Sequence, residues 1–298
     1  MSIPTNYIVA TAGHIDHGKS TLIEALSGTN PDRLPEEQSR GMTIDLGFAH
    51  ILLNDSEEPE KNYSLGLIDV PGHADFVKNM VAGAGSVDVA IFVIAADDGW
   101  MPQSEEHLHV LTYLNVRNAV VALTKSDSVD DIEFSSEMVS ESLKGSVFEN
   151  APIVPVCALI GEGIEELRKA LIQEIKKVSP PPDIQKPRLY VDRVFSPKGV
   201  GTVITGTMTG GRFTKGQKVI IQPHSSETTI RAIQNHQNEV SESLPGMRTA
   251  LNIPDVEIRK GKSRSGVKRG DTITIEKIGS PSRRIHVLVE RIQRESKA

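Results

Sequence analysis

The sequence predicts an α/β domain with a doubly wound, mostly parallel sheet, followed by a small β-barrel domain. Three observations predict it. Between Asn6 and Val178, short and nearly continuous apolar runs alternate with helical patterns, as strands do when helices cover both faces of their sheet. The segment Gly13–Ser20, reading GHIDHGKS, stands between the first apolar run and the first helical run. That strand–loop–helix context is the one a phosphate-binding loop requires. After Ser179-Pro180-Pro181-Pro182 the pattern changes to short strands separated by Gly, Pro and Asn turns, which fits a small antiparallel barrel.

Strands are expected at Tyr7–Thr11, Leu46–Leu53, Leu65–Asp69, Val89–Ile94, Ala119–Leu123 and Ile153–Val156, because each is an apolar run of strand length. Helices are expected after Lys19, Asp75, Gln103, Asp131 and Gly163. The proline run cannot continue a helix and forms a stiff linker. Beyond it, strands are expected at Leu189–Phe195, Gly201–Thr209, Gln217–Gln222, Thr228–Gln234, Arg248–Ile253 and Asp271–Ile275. Arg284–Arg291 reads as one more amphipathic strand, the start of a third domain. The expected division is therefore 1–178, a linker at 179–187, a barrel at 188–279 and a partial third unit at 280–298.

Composition narrows the class. The chain has 298 residues, 38% hydrophobic and 24% charged, ordinary values for a globular protein. No apolar stretch approaches membrane-spanning length, and no basic region followed by an apolar core marks secretion. Cys157 is the single cysteine, so no internal disulfide is expected. A cytoplasmic monomer is the resulting expectation. The net charge of −6 is uneven: from Arg259 to Ala298 twelve Lys or Arg face four Asp or Glu. A basic segment of this kind marks a nucleic-acid contact or a solvated face. The histidines are too scattered for a metal site built from protein ligands alone.

The chemistry is read from five stations. Backbone amides of Gly13, His14, Ile15, Asp16, His17, Gly18, Lys19, Ser20 and Thr21 form the phosphate cradle, aided by the helix dipole. Lys19 reaches the outer phosphates, and the Ser20 hydroxyl is placed to ligate Mg²⁺. Asp69-Val70-Pro71-Gly72 closes an apolar strand; Asp69 is expected to hold Mg²⁺ through water, and the Gly72 N–H to face a γ-phosphate. Thr43, in Gly41-Met42-Thr43, is expected to add a hydroxyl to the metal. In Thr124-Lys125-Ser126-Asp127, the Asp127 carboxylate can accept both hydrogen bonds from the guanine N1–H and amino group, while the Lys125 stem packs on the base. Adenine lacks that donor pair, so the expected cofactors are GTP and GDP with Mg²⁺. In Cys157-Ala158-Leu159, the Ala158 N–H is placed to meet the guanine carbonyl. His73, directly after Gly72, is the candidate to orient an attacking water. No arginine finger is evident, so hydrolysis is expected to be slow and triggered by a partner.

The stretches Glu37–Ile44 and Asp69–His73 resemble translational GTPases of the elongation factor Tu type. Thr29–Glu37 leading into Arg40–Phe48, Val191–Gly199 followed by Gly201–Thr207, and Pro245–Ile253 resemble the selenocysteine-specific (SelB) type within that group. The resemblance spans about residues 4 to 290. It implies a GTP-dependent carrier that delivers selenocysteinyl-tRNA to the ribosome. It further implies an aminoacyl pocket containing Arg193, Arg248 and Asp45. A selenol is an anion at neutral pH, and fixed guanidinium charges favour that anion over a seryl hydroxyl. On residues alone, the favoured reading of Arg193 and Arg248 is as barrel-surface residues that hold strands by ion pairs. Thr124 stands where the guanine motif usually has asparagine, a look that other bacterial members of this family share; Cys157 stands where serine is usual, and Trp100 where the family often has a small aliphatic residue. The mRNA hairpin grip of the family resides in C-terminal domains, so no hairpin contact is expected of this chain. Three other readings stay open: a general tRNA carrier or initiation-factor subunit, a regulatory GTPase subunit of a sulfate-activating enzyme, and a GTP-binding remnant.

Overall fold

A computed structural model describes residues 4–32, 43, 45–72, 87–236, 238–259, 266–279, 282 and 287. The first part of the chain builds a six-stranded sheet from β1 (Thr5–Ala12), β2 (Gly47–Asn54), β3 (Asn62–Asp69), β4 (Val89–Ala95), β5 (Ala119–Thr124) and β6 (Ile153–Pro155). Its order is β2-β3-β1-β4-β5-β6. Only the β2–β3 pair is antiparallel; the other pairs are parallel. The helices are α1 (Lys19–Ser27), α2 (Pro102–Tyr113), α3 (Ile132–Leu143) and α4 (Ile164–Lys176).

Strand alternation divides the core in two. On β4, Val89, Ile91 and Val93 pack with Leu22 of α1 and Leu167 of α4. Ala90, Phe92 and Ile94 face the other way, toward Leu108 and Leu111 of α2 and Val139 and Leu143 of α3. Every residue of β4 is buried, which explains why its sequence is wholly apolar. Helix α4 buries Ile164, Leu167, Leu171, Ile172 and Ile175 along one stripe. Glu165 and Glu166 lie in its first turn and Lys176 in its last, so its charges follow the helix dipole. The Asp131 carboxylate caps α3 by accepting the Phe134 N–H at 2.9 Å.

The second part forms an eight-stranded antiparallel, barrel-like sheet. It contains β7 (Arg188–Phe195), β8 (Val203–Thr209), β10 (Lys218–Gln222), β11 (Ser226–Thr229), β12 (Ala232–Asn235), β13 (Asn238–Val240), β15 (Arg248–Asn252) and β16 (Thr272–Thr274). A separate two-stranded pair joins β9 (Phe213–Thr214) to β14 (Glu242–Ser243). Leu189, Ile204, Phe213, Ile221, Ile233, Leu251 and Ile273 fill its core.

The main difference from expectation lies at Thr228–Gln234, which is two strands and not one. Ile230 bonds to the β10 side, its N–H donating to the Gln217 carbonyl at 3.0 Å. Arg231 bonds to the β15 side, its N–H donating to the Asn252 carbonyl at 2.8 Å. The chain changes partners between these two residues, and the buried positions slip by one there, from Thr228 and Ile230 to Ile233. The helix expected after Asp75 and the strand expected at Arg284–Arg291 lie outside the described residues. No helix among the described residues is long and apolar enough to cross a membrane.

Candidate nucleotide site

The phosphate loop leaves the carboxyl end of β1 and enters α1. Gly13 has φ +133°, and a Cβ there would lie 2.1 Å from the Val93 carbonyl oxygen. Only glycine fits both conditions. Gly18 precedes α1 in the left-handed region, at φ 83°. Asp16 is also left-handed, at φ 63°. These turns curl the loop back over the helix start.

Helix α2 braces the loop from behind, a feature the sequence reading missed. The Gly13 N–H donates to His107 Nδ1 at 3.0 Å, and the Ile15 N–H donates to Gln103 Oε1 at 3.0 Å. Gln103 and His107 stand four residues apart on α2, so they share a face. Because Nδ1 accepts, the imidazole is neutral. Burial pushes the His107 pKa down to about 3, and the Lys19 charge adds to this. His17 is also buried, and its Nδ1 lies 3.4 Å from the Val93 carbonyl. Burial lowers its pKa to about 4. The rings of His14 and His17 meet edge-on at 5.1 Å.

Lys19 lies almost fully inside, its Nζ donating to the His14 carbonyl at 2.5 Å. Burial lowers its pKa to about 8, against the opposing pull of Asp69, Asp16 and Asp32. Gly72 closes the space above it: a Cβ there would sit 2.5 Å from Lys19 Nζ and 2.7 Å from the Ile15 nitrogen.

Beside Lys19, three oxygen-bearing side chains converge. Ser20 Oγ donates to Asp69 Oδ2 at 2.6 Å and lies 2.8 Å from Thr43 Oγ1. Thr11 Oγ1 donates to Asp69 Oδ1 at 2.8 Å, and the Thr43 hydroxyl donates to Asp32 Oδ1 at 2.9 Å. Asp32 is a further carboxylate at this point, one the sequence reading did not single out. Asp69 is wholly buried, and burial raises its pKa to about 6 despite hydrogen bonds from Ser20 and Thr11. A buried carboxyl that resists ionisation is one that a cation would stabilise. Hard oxygen donors at this spacing suit Mg²⁺, so the residues present fit the ion.

The base end is built from the loops after β5 and β6. The buried Thr124 hydroxyl donates to the His17 carbonyl at 2.7 Å and lies 3.2 Å from the Ile94 carbonyl. It is a strut between β5 and the phosphate loop. Lys125 is left-handed at φ 54°, with Nζ 3.3 Å from Asp97 and 3.6 Å from Asp98. Asp127 is exposed on a single 3₁₀ turn, Ser126–Ser128. The Cys157 N–H donates to the Glu162 carbonyl at 3.0 Å, closing the neighbouring loop. Ala158 packs partly into the core while Leu159 is exposed. Asp127 and Ala158 therefore follow the carboxyl ends of two neighbouring parallel strands, β5 and β6. His73 lies outside the described residues, as does the segment Arg40–Met42.

The sequence pattern of the elongation factor Tu GTP binding domain matches residues 5–177, and that of elongation factor Tu domain 2 matches residues 201–274. The chain belongs to the elongation factor Tu family of GTP-binding proteins. It is 47% identical over 253 residues to the selenocysteine-specific elongation factor of Desulfomicrobium baculatum, covering 84% of this chain and 39% of that protein. A crystal structure of the bacterial selenocysteine-specific elongation factor EF-Sec superposes with a TM-score of 0.82 at 38% identity, over 91% of this chain and 45% of that one. The elongation factor SelB of Methanococcus maripaludis, in complex with the GTP analogue GppNHp, superposes with a TM-score of 0.79 at 28% identity, over 93% and 56%. The chain thus spans less than half the length of the selenocysteine-specific proteins of bacteria that it matches.

In this elongation factor Tu-type arrangement, a second cleft of about 460 Å³ lies between the GTP-binding domain and the barrel. Phe48 and His50 of β2 line one wall, and Arg193, Arg248 and His236 line the other. The Arg248 guanidinium carbon lies 3.2 Å from the Phe48 ring centre, and that of Arg193 lies 4.5 Å from it. Arg193 also donates to the Leu46 carbonyl. Arg248 forms a two-pronged ion pair with Asp192, one prong at 3.0 Å. His50 and His236 stack with ring centres 3.4 Å apart. Asp45 does not line this cleft; it pairs with Arg269 of the barrel at 2.8 Å. The two arginines named from the sequence therefore share one space, and Asp45 stands beside it on another contact.

Proposed function

We propose that the chain is the nucleotide-binding and aminoacyl-binding part of a selenocysteine-specific elongation factor. In this reading it binds GTP or GDP with Mg²⁺, carries selenocysteinyl-tRNA, and hydrolyses GTP when the ribosome triggers it. The observation that carries the reading is the interdomain cleft, where Arg193 and Arg248 converge on Phe48. That cleft offers fixed cations to a small anionic group, and a selenolate is such a group where a seryl hydroxyl is not.

The nucleotide steps follow from the residues. Of the loop amides expected between Gly13 and Thr21, those of Gly13 and Ile15 are held by His107 and Gln103; the others bind the phosphates, and Lys19 neutralises the outer ones. Ser20, Thr43 and Asp69 would hold Mg²⁺, which supplies charge neutralisation at the β- and γ-phosphates. Asp127 selects guanine, the Lys125 stem covers the base, and the Ala158 amide meets the guanine carbonyl. Thr124 holds the base loop to the phosphate loop, and Cys157 shapes the neighbouring turn. Gly72 leaves room for a γ-phosphate where a methyl group would collide with Lys19. His73 orients the attacking water. Positioning and charge neutralisation supply most of the acceleration in such reactions.

The experiment measures the affinity of this chain, loaded with a non-hydrolysable GTP analogue, for selenocysteinyl-tRNA and for seryl-tRNA. The reading expects a clear preference for the first. Equal weak binding of both tRNAs would leave a GTP-binding protein of another role, such as the regulatory or remnant readings.

A further inference from the structure

We propose that this site takes guanine nucleotides without reading N7 of the base: Thr124 spends its one proton on the phosphate loop, so guanosine phosphates altered at N7 are ligands as good as GTP and GDP. The inference rests on the proposed guanine site and specifies which face of the base that site ignores.

Three observations lead there. First, guanine N7 is an acceptor beside O6, so only a donor can read it. With Asp127 on the N1–H and amino group and the Ala158 amide on O6, N7 falls on the side of the base nearest the phosphates. Thr124 stands on that side, because it ends β5 and its hydroxyl ties that strand to the phosphate loop. Second, a threonine hydroxyl has one proton where an asparagine amide has two. The Thr124 proton goes to the His17 carbonyl at 2.7 Å, and the Ile94 carbonyl, 3.2 Å away, competes for it. Thr124 is 3% exposed, so turning the hydroxyl to the base would leave a buried carbonyl unpaired. What remains on the oxygen is lone pairs, and these repel N7. An asparagine here would hold the loop with one N–H and keep the other for the base. Third, neighbouring donors are engaged elsewhere. The Ser126 N–H donates to the Val156 carbonyl at 3.4 Å, and the Cys157 N–H to the Glu162 carbonyl at 3.0 Å. The Lys125 ammonium lies 3.3 Å from Asp97 and 3.6 Å from Asp98. The Cys157 thiol, where serine is usual, is a weak donor.

The experiment titrates this chain with GDP and with 7-deaza-GDP, in which a C–H replaces N7, by calorimetry in the presence of Mg²⁺. Where N7 is read, its loss lowers affinity roughly threefold to tenfold. Wild type should bind the two nucleotides within about twofold of each other, and Thr124→Asn should bind 7-deaza-GDP about fivefold more weakly than GDP. Thr124→Val keeps nearly the same shape and removes the proton. Both nucleotides should then weaken by the same factor, about tenfold, because only the strut is lost. A wild-type preference for GDP of about threefold or more overturns the inference, and its loss in Thr124→Val would show that the hydroxyl reads N7. Equal affinities in Thr124→Asn overturn it as well, since position 124 would then not face N7. If Thr124→Asn fails to fold, wild type and Thr124→Val decide. A wild-type chain that binds neither nucleotide overturns the proposed guanine site, and this inference with it.

Discussion

Replacing His107 with glutamine isolates the brace beneath the phosphate loop. His107 is 1% exposed and accepts the Gly13 N–H through Nδ1. Glutamine also offers an acceptor at this distance but carries no titrating group. The His107 pKa falls from 6.5 to about 3 on folding. A proton therefore binds the unfolded chain more tightly than the folded one. The stabilisation by the neutral ring is complete above pH 6.5 and is lost as pH falls below it. At pH 5 the chain lies 1.5 units below the unfolded value, and one unit corresponds to about 1.36 kcal/mol, so the loss is about 2 kcal/mol. Other buried groups act in both directions. His17 adds to the loss, while Asp69 and Asp88, whose pKa values burial raises to about 6, oppose it. The difference between wild type and His107→Gln cancels those contributions. The assay is urea unfolding at pH 7 and pH 5, followed by the fluorescence of Trp100. That residue is the sole tryptophan and stacks on Phe92 at 5.5 Å, so it reports on the GTP-binding domain. The variant should lose about 2 kcal/mol less than wild type between the two pH values. Parallel losses in the two proteins would refute the neutral, buried acceptor.

Three other outcomes are expected. Asp127→Asn should lower GDP affinity at least about tenfold, through the loss of charge-assisted hydrogen bonds, and favour xanthine nucleotides; fluorescent-nucleotide titration showing unchanged guanine preference would contradict the assignment. His73→Ala should slow ribosome-stimulated hydrolysis about a hundredfold or more while GTP affinity stays nearly constant, and a large drop in affinity would make His73 a structural residue. Asp192→Asn should destabilise the barrel by about 3 kcal/mol, because it leaves Arg248 buried without its counter-charge; a change under about 1 kcal/mol in circular-dichroism unfolding would show that Phe48 and Thr205 suffice to hold that cation.

The strands of the first domain were legible because helices cover both faces. A strand such as β4 must then be apolar at every position, and its limits in the sequence nearly coincide with those in the fold. The break at Ile230–Arg231 was hidden for a different reason. Ile230 and Ile233 are both buried in the barrel core, and their three-residue spacing, one position off the alternation of a single strand, is a signal too small to stand out in a short apolar run. At the nucleotide site, the loop residues were readable from spacing, since Gly13, Gly18 and Lys19 are fixed by local backbone demands. Gln103 and His107 were not, because their partners lie 88 and 94 positions away along the chain. Their four-residue spacing after an Asp-Asp-Gly turn was the available signal, and it does not point to a partner. Asp32 escaped notice because its role arises only where Thr43 meets Ser20. Phe48 escaped because an apolar residue within an apolar strand announces nothing about the cations above it.

Along one short ribbon of chain, Asp45 meets Arg269, the Leu46 carbonyl meets Arg193, Phe48 meets Arg248, and His50 meets His236. Much of the seam between the two modules is thus written into residues 45–50, at the entry to β2, far along the chain from the proline tether that joins them. Anyone exchanging barrels between related factors would do well to transplant residues 45–50 together with the barrel. A hybrid joined only at the tether would pair each guanidinium with a stranger.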